Sequence, residues 1–420
     1  MVSPAWVSEI GLLRNLPAYV LTATRDAAMK HALPILVAFA AACGPPQSYV
    51  LDVSAPNEDR TIAVVSFELP RRAPVAAWQA YQADGAVLPV QVDESGAGMV
   101  ILTGMAAGEN RVLTLVQAET TRGVSVAERA GMVSISVMGR PVTAYHAGKQ
   151  PLPREDIDTV YHRSGYLHPV YTPRGYMVTD DYPPSHTHHH GIWSAWTRTA
   201  FMERNPDFWN MGSRTGTVEH VALDSLWEGP VHGGLRARHV QTDLSGEEAV
   251  RALDEEWTVR VYNAPGIHLI DLSIWQTLAT DSTLHLLEHQ YGGVGLRGAR
   301  AWYGADNAMF LTSEGRTRAD GHATRARWCH MGGTVDGEQI GIAVLGHPDN
   351  YEAPQPMRIH PDEPFFNYAP TQAGGFAISP GQTFDMRYRF VVYDGEADPA
   401  LLDALWQDYA HPLVGTVRRR

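Results

Sequence analysis

The chain has 420 residues, 44% of them hydrophobic and 9% aromatic, enough to bury a large core and more than one domain usually holds. Its formal charge is −13, with no basic stripe beyond the terminal Arg418-Arg419-Arg420, which argues against a nucleic-acid partner. Lys30 and Lys149 are the only lysines, so nearly all of the 33 basic residues are arginines, through a need for forked carboxylate recognition or through codon bias in a GC-rich genome.

Taken in order, the chain begins with an address. Met29-Lys30-His31 is a short basic region, Ala32 to Ala42 an apolar run too short to span a bilayer, and Ala40-Ala41-Ala42-Cys43 resembles a lipoprotein processing box. Residues 1–43 read as a leader, with 1–28 an over-extended start and Cys43 the lipidated first residue of a periplasmic or cell-surface protein; a buried N-terminal helix is the alternative. Contact with a membrane would then run only through that anchor. Cys329 is left without a disulfide partner.

After Pro45-Pro46, short β-rich runs at Tyr49 to Val53, Thr61 to Leu69, Val87 to Val92, Met99 to Thr103 and Arg111 to Gln117 are separated by Gly, Pro, Asp and Asn, and predict a small β-sandwich over residues 44–125. Ala118 to Ala130 reads as a polar connection and the domain boundary. Further strands are predicted at Val133 to Val137, Val142 to Tyr145, Thr217 to Leu223, Leu235 to Thr242, Glu255 to Tyr262, Ile267 to Thr277, Ser282 to Leu287, Gln339 to Leu345 and Thr383 to Val392. Helix signal is confined to Gly246 to Leu253 and to Asp398 to Tyr409, where Asp398 can cap and Pro399 fits the first turn. The expectation is an all-β protein whose residues 126–420 form a large antiparallel sandwich.

Chemistry concentrates at Pro183 to Trp196, where His186, His188, His189 and His190 fall within five positions and Gly191, Trp193 and Trp196 follow. Imidazole titrates near neutrality and binds metals. If the segment is extended, His186, His188 and His190 share one face, which could hold a divalent ion such as zinc, with a further ligand from His220 or His289, or could supply acid and base. A hydrogen-bonded loop is the plainer account of the same residues. There is no His-Glu-x-x-His, and the two cysteines are in no ligand spacing.

Tyr166-Leu167-His168-Pro169-Val170-Tyr171-Thr172-Pro173-Arg174-Gly175, Ser185 to Trp193, Tyr291-Gly292-Gly293-Val294-Gly295-Leu296-Arg297, His347-Pro348-Asp349-Asn350 and Pro364-Phe365-Phe366-Asn367 together resemble the PmoA-like family of soluble bacterial proteins. That family's methane-oxygenase label does not suit a chain without long apolar spans. The resemblance implies a galactose-mutarotase-like β-supersandwich for residues 126–420 and a carbohydrate substrate. It departs at Tyr291, where many members carry an acidic residue, and Glu288 lies three positions upstream.

On such a scaffold an open face binds sugar, and Trp193, Trp196, Trp209 and Trp302 are candidate stacking platforms, although core packing accounts for a tryptophan as readily. Arg297 could clamp a uronate carboxylate. His347, Asn350, Arg358, His360 and Asn367 form a second polar group in loop-like sequence, and His289 and Tyr291 are further binding candidates. Glycoside hydrolysis would draw on Glu219, Glu256 and Glu288; β-elimination would use a histidine base with Arg297 steadying the enolate. A non-catalytic glycan-binding lipoprotein and a metal-dependent hydrolase or oxidoreductase on a non-sugar substrate remain alternatives.

Overall fold

β-Branched and aromatic residues recurring at period two favour pleated, half-buried surfaces. In the computed structural model, which describes residues 48–70, 77–118 and 123–420, they form three eight-stranded sheets and one three-stranded sheet. The protein is all-β, with one α-helix among the described residues. The expected leader with Cys43, and residues 119–122 at the expected boundary, lie outside the described residues. No helix among the described residues is long and apolar enough to cross a membrane.

The first sheet runs Leu413–Val414, Arg60–Glu68, Ala97–Met105, Val87–Val92, Ala77–Tyr81, Asn110–Ala118, Ser48–Ser54, Thr416–Arg419. Leu51, Val65, Trp78, Val100 and Leu115 give it a core of its own. Residues 413–419, which the sequence reading assigned to the second domain, complete this sheet on both edges. The two edge strands meet at Gly415, whose N–H donates to Ser66 O at 2.8 Å and where any Cβ would collide with Leu51.

The second sheet runs Met357–Ile359, Phe365–Tyr368, Gly293–Arg297, Ile192–Ala195, Leu167–Val170, Arg140–His146, Met132–Val137, Val124–Arg129. Its last strand falls in the stretch read as a polar connection; it is an edge strand with one buried residue, so its sequence carries little apolar pattern. The third sheet runs Gly216–Trp227, His232–Asp243, Val250–Tyr262, His268–Leu278, Phe384–Asp394, Glu338–Gly346, Trp328–Val335, Met309–Thr312. Sheets two and three share one apolar core, with Tyr145, Leu167, Ile192 and Leu296 from one and Leu235, Trp257, Ile270 and Ile274 from the other. In His268–Leu278 the predicted alternation holds: Ile270, Leu272 and Ile274 are buried while Asp271, Ser273 and Trp275 are half-buried.

Pro399–Ala410 is the predicted helix. The Asp398 carboxylate accepts from Ala400 N at 3.0 Å and Leu401 N at 3.1 Å, satisfying two of the free donors of the first turn. The helix buries Leu402 and Leu405 in a cluster with Ile62 and Val64 of the first sheet and Leu269 and Trp328 of the third. Asp408 accepts from Thr61 N and Ile62 N at 3.0 and 2.6 Å, so the helix ties those two sheets together. The other helix candidate, Gly246 to Leu253, is a turn leading into the Val250–Tyr262 strand. Sheet pairing that buries Ala252 and Leu253 outweighs the weak intrinsic preference of so short a segment.

One carboxylate is sealed inside the core. Glu255 accepts from His239 Nδ1 and Gln241 Nε2 at 3.1 Å each, from Trp257 Nε1 at 2.5 Å and from Gln276 Nε2. Burial pushes its pKa up, but these donors outweigh it and hold the carboxyl below its ordinary range. His239 Nε2 then accepts from the Tyr145 hydroxyl at 2.6 Å, and His220 Nδ1 meets that same hydroxyl at 2.8 Å.

Candidate functional site

Strand alternation decides what the outer face of the second sheet presents. The register sets Trp193, Gly295, Asn367 and Arg358 abreast, opposite in sense to Ile192, Leu296 and Phe366, which face the core. A Cβ at Gly295 would stand 2.8 Å from Trp209 and 2.9 Å from Trp193, so only glycine lets the two indoles close over the strand. Trp193 and Trp209 lie 4.9 Å apart between ring centroids and, with Phe365, form a buried apolar floor.

The histidine stretch is two successive turns and not a strand. Pro183 and Pro184 cannot continue a ladder, and the chain folds back through His186 N to Pro183 O at 3.1 Å and His189 N to His186 O at 2.8 Å. The expected shared face of His186, His188 and His190 is therefore overturned. His186, His188 and His189 gather instead, with ring centroids 4.6–5.9 Å apart. His190 turns away, stacking on Tyr166 at 4.3 Å and bonding Asp181 through Nδ1 at 2.6 Å. Among the described residues no group of three His, Cys, Asp or Glu side chains is arranged to hold a metal ion. Gly191 permits the divergence, since a Cβ there would strike Leu167 O.

Burial, reinforced by its histidine neighbours His186 and His190, pushes His188 down to about 4. His360, whose ring lies 5.6 Å from that of His186, is also at about 4 through burial and Arg358. His186 Nδ1 sits 3.1 Å from Glu363 Oε2. Burial pushes Glu363 up, but the Ser185 hydroxyl, Arg297 and His186 hold it below the ordinary carboxylate range.

Beside the histidines, Asp207 organises a second set. Its carboxylate accepts from Thr197 Oγ1 at 3.0 Å, Trp209 N at 3.0 Å, and Asn210 N and Nδ2 at 2.8 Å each. This fixes the Asn210 amide 3.2 Å from the Tyr291 hydroxyl. The Tyr291 ring packs 4.4 Å from His289, whose Nε2 is buried with no hydrogen-bond partner among the described residues. Burial lowers the pKa of His289 and raises that of Tyr291, leaving a neutral imidazole beside a protonated phenol at pH 7. Arg358 acts electrostatically on both, and its Nη1 stands 3.5 Å from His322 Nε2. His289, His322 and Glu288 line an open cavity of about 350 Å³.

The structure thus brings together His186, His188, His189, His289, Tyr291 and Arg358 from the predicted set, with Glu288 at the cavity rim and Trp193 and Arg297 buried beneath, and places the others elsewhere. Trp193 and Trp196 are fully buried, Trp196 giving its indole N–H to Gln276 at 2.8 Å, so neither is a stacking platform; Trp209 and Trp302 are buried too. Arg297 is also sealed: it pairs with Glu363 and lies 4.5 Å from the Tyr303 ring centroid, so it cannot clamp an incoming carboxylate. Glu219 pairs with Lys149 at 2.5 Å and Glu256 with Arg236 at 3.3 Å, both on the partly exposed side of the third sheet, and Glu288 is exposed at a rim. Asn367 pins two strands by accepting from Gly292 N at 2.9 Å and donating to Val294 O at 2.7 Å. Asn350 pins its loop to the Arg387 backbone, and with His347 it lines a separate cavity of about 200 Å³ beside Trp406. Asp207, Asn210 and Glu363 are not among the residues expected from sequence; Glu363 lies one residue before Pro364-Phe365-Phe366-Asn367, and Asp207 and Asn210 flank Trp209.

These elements belong to a sandwich of two large sheets with a polar strip on the outer face of one. The chain belongs to a family described as a family of unknown function, DUF6807, whose profile covers residues 132–407. That span takes in the strip and almost all of both large sheets. No curated protein matches the chain.

Proposed function

We propose that the strip is the active site of a secreted, lipid-anchored carbohydrate-active enzyme that cleaves a uronate-containing poly- or oligosaccharide by β-elimination. The observation that carries this reading is the grouping of His289, Tyr291, Asn210 and Arg358 on one open face, where Glu288 is the single uncommitted carboxylate while Glu219 and Glu256 stand apart. Hydrolysis wants two carboxyls facing one cleft. Of the carboxylates at the strip, Asp207 and Glu363 are already committed to Asn210 and to Arg297, which leaves Glu288 alone where hydrolysis needs a pair.

Elimination asks for a cation or amide on the uronate carboxylate, a base and an acid. Arg358 takes the carboxylate, and the Asn210 amide, held by Asp207, positions the Tyr291 hydroxyl. Neutral His289 removes the proton at C5, the C5–H electron pair becomes the C4=C5 double bond, and the C4–O bond breaks as Tyr291 gives its proton to the leaving oxygen. Solvent returns the proton from His289 to Tyr291. The motif likeness to the PmoA-like family adds the carbohydrate expectation by analogy of fold, and the Cys43 stretch supports export with a lipid anchor.

The test is to incubate the full chain with polyuronates and neutral polysaccharides while following ultraviolet absorbance of an unsaturated uronate alongside new reducing ends. Absorbance should rise with a uronate substrate and fall by about 10²-fold or more in Tyr291→Phe and His289→Asn. New reducing ends without absorbance would overturn elimination.

A further inference from the structure

The reaction above leaves unused a cavity of about 460 Å³ lined by His146, Tyr166, His168, Met177, Asp181 and Arg300. It lies on the outer side of the second sheet, at the Leu167–Val170 and Arg140–His146 strands, next in the sheet to the strands beneath the strip. Its volume is within the range of about 300–1,000 Å³ usual for small-molecule sites.

Hydrogen bonding fixes the tautomers of its two imidazoles. His146 Nε2 is 2.8 Å from His168 O, and only an N–H can bond a carbonyl, so the proton is on Nε2. Its Nδ1 is left as a bare acceptor, buried and without a partner among the described residues. A buried acceptor without a donor is unfavourable and calls for one. Thr179 Oγ1 accepts from Val170 N at 3.0 Å, and its own proton has one acceptor within reach, His168 Nδ1 at 3.0 Å. His168 therefore carries its proton on Nε2, which makes no hydrogen bond among the described residues. The wall presents one fixed acceptor and one fixed donor, both on rings that burial keeps neutral.

The charges nearby are already spoken for. Asp181 accepts from His190 Nδ1 at 2.6 Å and Tyr166 OH at 3.0 Å, and Asp180 from Tyr303 OH at 2.6 Å and Arg300 Nη2 at 3.0 Å. An anionic ligand would meet two carboxylates, and the cation beside them, Arg300, already gives Nε and Nη2 to Asp180. A hydroxyl group can give to His146 Nδ1 while its neighbour accepts from His168 Nε2, and Pro151, Pro153 and Met177 offer apolar wall to C–H groups. We propose that this cavity is a second binding site, for a neutral ligand carrying adjacent hydroxyl groups, of which a monosaccharide unit is the fitting class. It does not depend on the elimination reaction.

Saturation-transfer NMR and calorimetry on the full chain with glucose, galactose, mannose and galacturonate at millimolar concentration read this directly. At least one neutral sugar should bind, with affinity reduced about tenfold or more, roughly the loss of one good hydrogen bond, in His168→Phe and in the cavity-filling Met177→Trp. Tyr291→Phe should leave that binding unchanged, so this site and the reaction site fail separately. Met177 is 39% exposed, so its replacement serves where His168→Phe disturbs folding. Binding lost in Tyr291→Phe and kept in Met177→Trp would overturn the proposal, as would galacturonate binding alone or no neutral sugar bound.

Discussion

Two polar assemblies built from the same kinds of side chain lie on opposite faces of the second sheet. Inward, Tyr145, His239 and Glu255 form a chain in which both carboxylate oxygens, both ring nitrogens and the phenol are engaged. Outward, Asp207, Asn210, Tyr291 and His289 start the same way and then stop, leaving His289 Nε2 without a partner and Tyr291 half-buried. Saturation marks a group that holds the fold; an unpaired group on an open face marks one kept for a ligand.

If that distinction is right, cutting the inward chain should unfold the protein while cutting the outward one should stop its chemistry. Glu255→Ala leaves the His239, Gln241, Gln276 and Trp257 donors buried and unpaired, and should cost about 3–5 kcal/mol. Urea denaturation followed by far-ultraviolet circular dichroism reads this. A loss below about 1 kcal/mol would mean that water satisfies the donors and that the contrast between the faces is weaker than drawn.

Gly295→Ala acts on the floor between the two assemblies. The added methyl meets Trp193 and Trp209 at under 3 Å, both fully packed, so the indoles must shift. The expected loss is about 1–3 kcal/mol, typical of overpacking, with a change in tryptophan emission. An unchanged emission spectrum and stability would show that the floor is looser than its packing implies.

Acid should strain both faces together. His188 and His360 outward, and His220 at the inward end, are each pushed down to about 4 by burial, from an ordinary 6.5. The unfolded chain takes up these protons near 6.5 while the folded chain refuses them until near 4, so their contribution is full above 6.5 and is lost as pH falls toward 4. Asp181 works the other way: raised by burial from 3.8 to about 6, it contributes below 3.8 and loses that as pH rises through 6. One group against several leaves a net loss on acidification. The melting temperature should fall by several degrees from neutral pH to about pH 5, and His188→Asn with His360→Asn should flatten the slope; a melting temperature insensitive to pH in wild type would count against neutral imidazoles at these positions.

The difference between the faces also explains what could be read in the sequence. Alternation in His268–Leu278 and the Asp398 cap are local signals, and they appear in the structure where the sequence puts them. The histidine stretch was legible as a place but not as a geometry, because Pro183 and Pro184 turn the chain and send His190 to Asp181 while His186, His188 and His189 gather elsewhere. Arg297 looked like a clamp because nothing local shows that Glu363, far along the chain, pairs with it, or that the nearby Tyr303 ring turns back against it. Asp207 and Asn210 carry no motif. Their role exists only through Tyr291, which is 81 residues from Asn210.

The smallest effect is the most discriminating between reaction classes. Glu219 and Glu256 each keep more than a third of their side-chain surface open and pair with a cation that is equally open. Exposed pairs of this kind contribute about 0–1 kcal/mol because solvent screens the attraction and two long side chains lose freedom in holding it. The double variant Glu219→Gln/Glu256→Gln should therefore melt within a degree or two of wild type and form unsaturated product at the wild-type rate. A loss of turnover of about 10²-fold or more with stability intact would return these carboxylates to the reaction, move its centre from the outer face of the second sheet to the third, and leave the unpaired imidazole of His289 without the role assigned to it.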